Sequence, residues 1–168
     1  MRARVVDFDA AQPRHAAAFR DINLGWIREL FRVEPHDEAT LGDPAALVAA
    51  GGSILLAVDD AAGDAAVVGV CALLAPAASG EPAGRELAKM GVEPAARGCG
   101  VGRLLGEAAV RRAREQGAAY VDILSNRRLG PALALYGSLG FVEAPMPPTD
   151  YERADIYLVL RLGGAGGQ

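Results

Sequence analysis

Two cysteines and two histidines stand in 168 residues, and aromatic side chains make up only 5% of the chain. Cys71 and Cys99 show no C-x-x-C spacing, and His15 and His36 are too few to build a zinc site, so no metal is expected. Two unpatterned cysteines also point to a reducing compartment rather than a disulfide framework. Positive charge is scarce: 17 Lys and Arg against 21 Asp and Glu leave a formal charge of −4, which argues against a broad nucleic-acid surface. No apolar run reaches the roughly 18 residues that a membrane span requires. The start, Met1-Arg2-Ala3-Arg4, lacks the apolar core of a signal peptide. These absences together predict a cytoplasmic protein with a small-molecule partner, no nucleic acid and no membrane.

What the chain does have is glycine, 21 residues of it, and 51% hydrophobic residues, many of them alanine. The length suits one domain with a substantial core, expected over 1–162, followed by a disordered Gly-rich tail over 163–168. Arg4 to Phe8 reads as a strand, and apolar residues at helical spacing (Phe19, Ile22, Trp26, Ile27, Leu30) predict a helix from about Pro13 to Phe31. A second short helix is expected after Pro44, with Asp43 as its N-cap and Gly51-Gly52 as its stop. Apolar runs Ser53 to Val58 and Ala66 to Leu74 flank a hairpin signal at Asp59 to Asp64, and Ser79-Gly80-Glu81-Pro82 makes another turn. Arg85 to Val92 is the next strand. Gly100 to Gln116 is the most regular helix, with Val101, Leu104, Leu105, Ala108 and Ala109 on one face and Gly117 as its stop. Tyr120 to Leu124 reads as a strand, Pro131 to Leu139 as a helix, and Phe141-Val142 and Ile156 to Leu160 as the last strands. The predicted order is βααβββαβαββ, an α+β chain with a mixed sheet covered by helices.

Between the strand ending at Val92 and the helix from Gly100 lies Arg97-Gly98-Cys99-Gly100-Val101-Gly102. A strand that breaks into a glycine turn and opens a helix leaves backbone N–H groups without partners, and the helix dipole adds a partial positive charge. Such a turn suits a phosphate or pyrophosphate. Two familiar patterns do not apply. A P-loop needs Lys-Ser or Lys-Thr after its last glycine, where Arg103-Leu104 stands. The dinucleotide pattern G-x-G-x-x-G would need glycine at Arg103 or Leu105. What remains is R-x-x-G-x-G opening a helix.

That turn, the helix after it, the strand ending at Asn126, and Leu135-Tyr136-Gly137-Ser138-Leu139-Gly140-Phe141 resemble, in type and order, the core of the GNAT acetyltransferases. Asn23-x-x-Trp26-Ile27, Leu87-Ala88-Lys89-Met90 and Tyr151-Glu152-Arg153-Ala154-Asp155 look like segments of a small bacterial subgroup of that family. The resemblance implies a mostly antiparallel sheet of six to seven strands with four helices, splayed between strands four and five. It implies an acetyl-CoA-dependent N-acetyltransferase that moves an acetyl group to a primary amine by direct attack in a ternary complex. Two other readings stand beside it: a non-catalytic acyl-CoA-binding sensor or partner protein, and a protein lysine or N-terminal acetyltransferase. A homodimer is compatible with the resemblance.

By the same resemblance, the backbone of Arg97, Gly98, Cys99, Gly100, Val101 and Gly102 would cradle the CoA pyrophosphate. Met90, Gly91 and Val92 would lie beside the pantetheine arm like an added strand, and Asn126 would bond the same arm. Tyr136 is the candidate general acid for the leaving thiolate; periodicity alone reads it as a helix aromatic packed on Phe141. Glu86, eleven positions before Arg97, is the candidate base for the arriving ammonium, with a water chain as the alternative. Two-residue alternation puts Lys89 on the strand face opposite Glu86 and Met90, as a structural residue. For the acceptor, Arg20, Asn23, Glu34, Tyr151 and Arg153 are substrate-binding candidates, Asp37 could meet an ammonium, and Trp26 belongs to the core. Neither cysteine is expected to act as a nucleophile.

Overall fold

The computed structural model describes residues 1–61, 65–76 and 83–163. Part of the Asp59 to Asp64 hairpin signal, the Ser79 to Pro82 turn and the tail beyond Gly163 lie outside the described residues. The elements run β1 (Ala3–Asp7), α1 (Pro13–Leu30), α2 (Pro35–Gly42), α3 (Pro44–Ala49), β2 (Ser53–Asp59), β3 (Ala66–Leu74) and β4 (Arg85–Val92). A 3-10 turn (Pro94–Ala96), α4 (Val101–Glu115), β5 (Tyr120–Ser125), α5 (Gly130–Ser138), β6 (Val142–Ala144) and β7 (Ile156–Arg161) follow. The seven strands form one sheet in the order β1-β2-β3-β4-β5-β7-β6. Every pairing is antiparallel except β4 with β5.

The central strands read as continuous apolar runs because helices cover both of their faces. Along β2, Leu55 and Ala57 join a core with Leu105, Ala109 and Ala113 of α4. The alternate residues Ile54 and Leu56 join Phe19, Ile22 and Ile27 of α1 on the other face. Cys71 and Leu73 of β3 face α4, while Val70 and Ala72 face α1. Close approach has its own requirement: a Cβ on Gly91 would come 2.9 Å from both Ile22 Cγ2 and Trp26 Cδ1, so α1 seats on β4 only over glycine.

Helix α3 has the expected N-cap, with Ala46 N–H donating to the Asp43 side chain at 3.0 Å. The helix count differs from expectation. Among the described residues there are five α-helices rather than four, and α2 is the one not expected. Its eight residues, Pro-His-Asp-Glu-Ala-Thr-Leu-Gly, carry one strong apolar position, so no hydrophobic period shows. Its start is held instead by a reciprocal capping box between Glu34 and Asp37. The penultimate strand also differs, starting at Val142 and leaving Phe141 in the α4-side core.

Beta-strand four carries a bulge that alternation could not foresee. Val70 pairs with Gly91, but Ala72 pairs with Ala88, so Cys71 faces two residues of β4, Lys89 and Met90. Lys89 absorbs the extra residue in a left-handed conformation, φ 50°. The facing rule therefore flips in mid-strand. Leu87 and Met90 point to the α4 side, while Glu86, Ala88, Lys89 and Gly91 point to the α1 side. Lys89 shares a face with Glu86, and Met90 does not, the reverse of the expectation.

Candidate active site

Strands β4 and β5 are paired only at Arg85 with Val121 and Glu86 with Asp122. From Leu87 onward the strands part, and the gap opens a cleft of about 530 Å³. Its walls include Glu86 to Val92 of β4, Ile123 to Asn126 at the end of β5, Leu135 and Tyr136 of α5, and the glycine turn. Parallel strands joined so briefly leave a row of β4 backbone groups facing open space.

At the far end of that row sits the turn. Gly98 (φ 77°) and Gly100 (φ 82°) both adopt left-handed angles, and a Cβ at either would meet nothing within 4 Å. The first intrahelical bond of α4 runs from Leu104 N–H to Gly100 O at 3.0 Å. Among the described residues, the amides of Gly98, Gly100, Val101, Gly102 and Arg103 have no acceptor, and they precede that bond at the positive end of the helix. Two amides of the expected cradle are spent: Arg97 N–H donates to Pro94 O and Cys99 N–H to Ala96 O, each at 3.3 Å. Cys99 is exposed and is not part of the cleft wall. The Arg97 side chain reaches across the mouth to Glu29 Oε2 at 3.5 Å and also donates to Val92 O at 3.4 Å. Chemically, this end can hold an anion.

Tyr136 is buried in the cleft wall, its hydroxyl 3.8 Å from Met90 Sδ and its ring 6.0 Å from Phe141. Burial, with the nearby Cys71 as a lesser cause, pushes its phenol well above the usual value. Glu86 stands at the vertex where the strands part. Burial first and Asp122 second push its carboxyl up to about 7, against an opposing pull from Lys89. Cys71 is fully buried, and burial pushes its thiol up to about 12. A thiol so held is not a nucleophile at neutral pH. Asn126 lies in the wall with both ends of its amide engaged by its own chain. Nδ2 donates to Arg153 O at 2.7 Å, and Oδ1 accepts from Arg128 N–H at 2.8 Å.

The substrate-binding candidates separate into three groups. Arg20 is exposed and paired with its neighbour Asp21, away from the cleft. Asn23 is fully buried inside α1, where Nδ2 donates to Phe19 O and Oδ1 accepts from Trp26 Nε1. Neither lines the cleft, and both placements have one cause: helical spacing tells which residues share a face but not which face meets the gap. Glu34, Tyr151 and Arg153 do come together, around Asp37. Asp37, fully buried, accepts from Lys89 Nζ, Tyr151 Oη (3.0 Å), both terminal nitrogens of Arg153 (2.6 and 2.7 Å) and Glu34 N–H (2.8 Å). Burial would raise its carboxyl, but the bonds from Arg153 and Lys89 overcome this and hold it well below the usual range. Glu34 accepts from Arg153 and from Glu152 N–H, and the Arg153 guanidinium lies 4.8 Å from the Tyr151 ring centre and 5.7 Å from that of Trp26. Tyr151, Arg153, Lys89 and Trp26 thus also line the cleft. Lys89 is the member of this cluster that strand alternation did not place there. Its signal in the sequence is a lone lysine between Ala88 and Met90, in the apolar second half of β4.

A mixed sheet parted between β4 and β5, with a glycine turn opening the helix behind the gap, defines an α+β fold of the acyltransferase type. A family model for the acetyltransferase (GNAT) domain matches residues 50–143, and the chain belongs to that family. No curated protein matches the sequence. Among solved structures, the chain is similar to an acetyltransferase of the GNAT family from Staphylococcus aureus Mu50, at 15% identity and TM-score 0.81 over 96% of this chain and 100% of that one. It is similar to yncA from Salmonella typhimurium, solved with its cofactor acetyl-CoA, at 18% identity and TM-score 0.72 over 100% and 98% of the chains. A chain of the NatC complex bound to Gag peptide and CoA matches at 17% identity and TM-score 0.78, covering 97% and 100%.

Proposed function

We propose that the protein is an acetyl-CoA-dependent N-acetyltransferase that acetylates a primary amine by direct attack. The observation that carries this reading is the parted β4–β5 pair with unpartnered amides at one end and a titratable carboxyl at the other. The amides of Gly98 and Gly100 to Arg103 hold the pyrophosphate, with Arg97 turning from Glu29 to face it. Met90, Gly91 and Val92 line the pantetheine arm, and the second Nδ2 hydrogen of Asn126 is available to it.

Glu86 accepts a proton from the arriving ammonium, and the neutral amine attacks the thioester carbonyl. The C–N bond forms, the C–S bond breaks, and the thiolate leaves beside Tyr136. A phenol raised by burial is a poor proton donor to a thiolate, so Tyr136 acts chiefly by hydrogen-bonding the developing charge. Direct attack is favoured because the one cysteine inside the fold, Cys71, is held as a neutral thiol. Tyr151, Arg153 and Trp26 shape the acceptor end.

The test is thiol release from acetyl-CoA across a panel of primary amines, with CoA binding followed by calorimetry. Amine-dependent thiol release is expected. CoA binding with no release across the panel would return the chain to a sensor role, and absence of both would overturn the reading.

A further inference from the structure

We propose that Asp122, held in place by Tyr157, is a positioning residue whose charge adds to the effect of burial in raising the proton affinity of Glu86. The inference rests on the reading of Glu86 as the base. Glu86 and Asp122 are register partners, the last pair before β4 and β5 separate. Val121 and Ile123 turn into the α4-side core, as does Leu87, so Asp122 and Glu86 emerge on the same α1-side face. Tyr157, flanked by Ile156 and Leu158 of the same core, shares that face, and its hydroxyl donates to Asp122 Oδ2 at 2.7 Å. Asp122 itself does not line the cleft, whereas Glu86 does. The arrangement is a carboxylate at the reaction vertex with a second, anchored carboxylate behind it.

Two neighbouring carboxylates cannot both ionise at their ordinary values. The anchored one ionises first. Burial raises the Asp122 carboxyl, but the Tyr157 hydrogen bond opposes that rise, while among the described residues no hydrogen bond is donated to Glu86. The proton therefore resides on Glu86. The other groups facing Glu86 are Lys89 from β4 itself, Tyr157 from β7 and Tyr151 from the segment ahead of β7; the β3 partner opposite is Leu74. Among these described groups Lys89 carries the countercharge, and it is bonded to Asp37 on its far side. The Asp37 carboxylate offsets part of the Lys89 charge, so the pull of Lys89 on Glu86 opposes burial and Asp122 without cancelling them. A base raised this way binds the ammonium proton firmly yet still ionises near neutrality, the range in which general bases are most effective.

The experiment is a titration of the protein labelled with ¹³C at its Asp and Glu carboxyl carbons, with Glu86→Gln assigning the Glu86 signal. In the unsubstituted protein the Glu86 and Asp122 signals should each show two coupled steps, with the main Glu86 step near neutrality. Asp122→Asn, which keeps an acceptor for Tyr157, should lower the Glu86 midpoint by about one pH unit or more and move the acidic limb of kcat/KM with it. A Glu86 signal that titrates in one step at its ordinary value, or an Asp122→Asn midpoint that does not move, overturns the proposal. The titration needs no substrate. Coupled steps in a protein that releases no thiol would sink the acetyltransferase reading and leave the carboxylate pair standing.

Discussion

At the residue scale, the candidate base and acid differ in what burial does to them. Burial, with Asp122 behind it, makes Glu86 a better base by pushing its carboxyl up to about 7, and burial makes Tyr136 a worse acid by pushing its phenol up. A carboxyl raised above its ordinary value is protonated below about 7, so kcat/KM should fall as pH drops through that value. Glu86→Gln should remove this limb and lower the plateau about 10²-fold; a retained limb would assign it to another group. Tyr136→Phe removes only the hydroxyl near Met90, and kcat should fall about 10²-fold while CoA affinity, read by calorimetry, stays within a factor of about two. Full turnover in that variant would end its role at the leaving thiolate.

At the element scale, the segment from Tyr151 to Arg153 is fastened to α2 and to the β4 bulge by one carboxylate. Asp37 takes bonds from Lys89, Tyr151 and Arg153, so Asp37→Ala would leave the buried Lys89 ammonium without its carboxylate and Arg153 with Glu34 alone. Losing one member of a buried pair costs about 3–5 kcal/mol, and chemical denaturation should show a loss of that order. Asp37→Asn should recover part of it, since an amide oxygen still accepts. This cluster also marks where sequence legibility ends. The strands, α1, α3, α4, α5 and the glycine turn follow from period, caps and glycine placement, which are local properties. Helix α2 escaped because its order comes from a capping box and from Asp37 in the interior rather than from an apolar stripe. The facing of Lys89 and Met90 escaped because a bulge depends on register with β3, which no spacing within β4 reveals. Arg20 and Asn23 looked like acceptor residues because helix α1 was legible while its rotation about its own axis was not.

At the scale of the whole molecule, the gap is also a weakness. The sheet half β1–β4 meets the half β5-β7-β6 through two register pairs at its vertex. Helices α4 and α5 tie the halves on one face, where Leu139 of the α5 C-cap packs on Gly106 of α4. The polar cluster ties them on the other, through Arg153 to Asp37 and Asn126 to the Arg153 carbonyl. A ligand that bonds β4 and the wall of β5 at once would act as the missing strand between them, and would bind only the folded protein. At about 100 times its Kd such a ligand adds about 2.7 kcal/mol, which for a chain of this size corresponds to a rise in Tm of about 5–10 °C. Scanning calorimetry with CoA should show that rise. Arg97 separates anchoring from folding: its bonds to Val92 O and Glu29 are long and its side chain is half exposed. Arg97→Ala should leave the ligand-free Tm within about 1 °C, the expectation for a surface substitution, while shrinking the CoA-induced rise. An undiminished rise would show that the pyrophosphate is held by the turn's amides alone, and a lowered ligand-free Tm would make Arg97 a strut between the turn and α1.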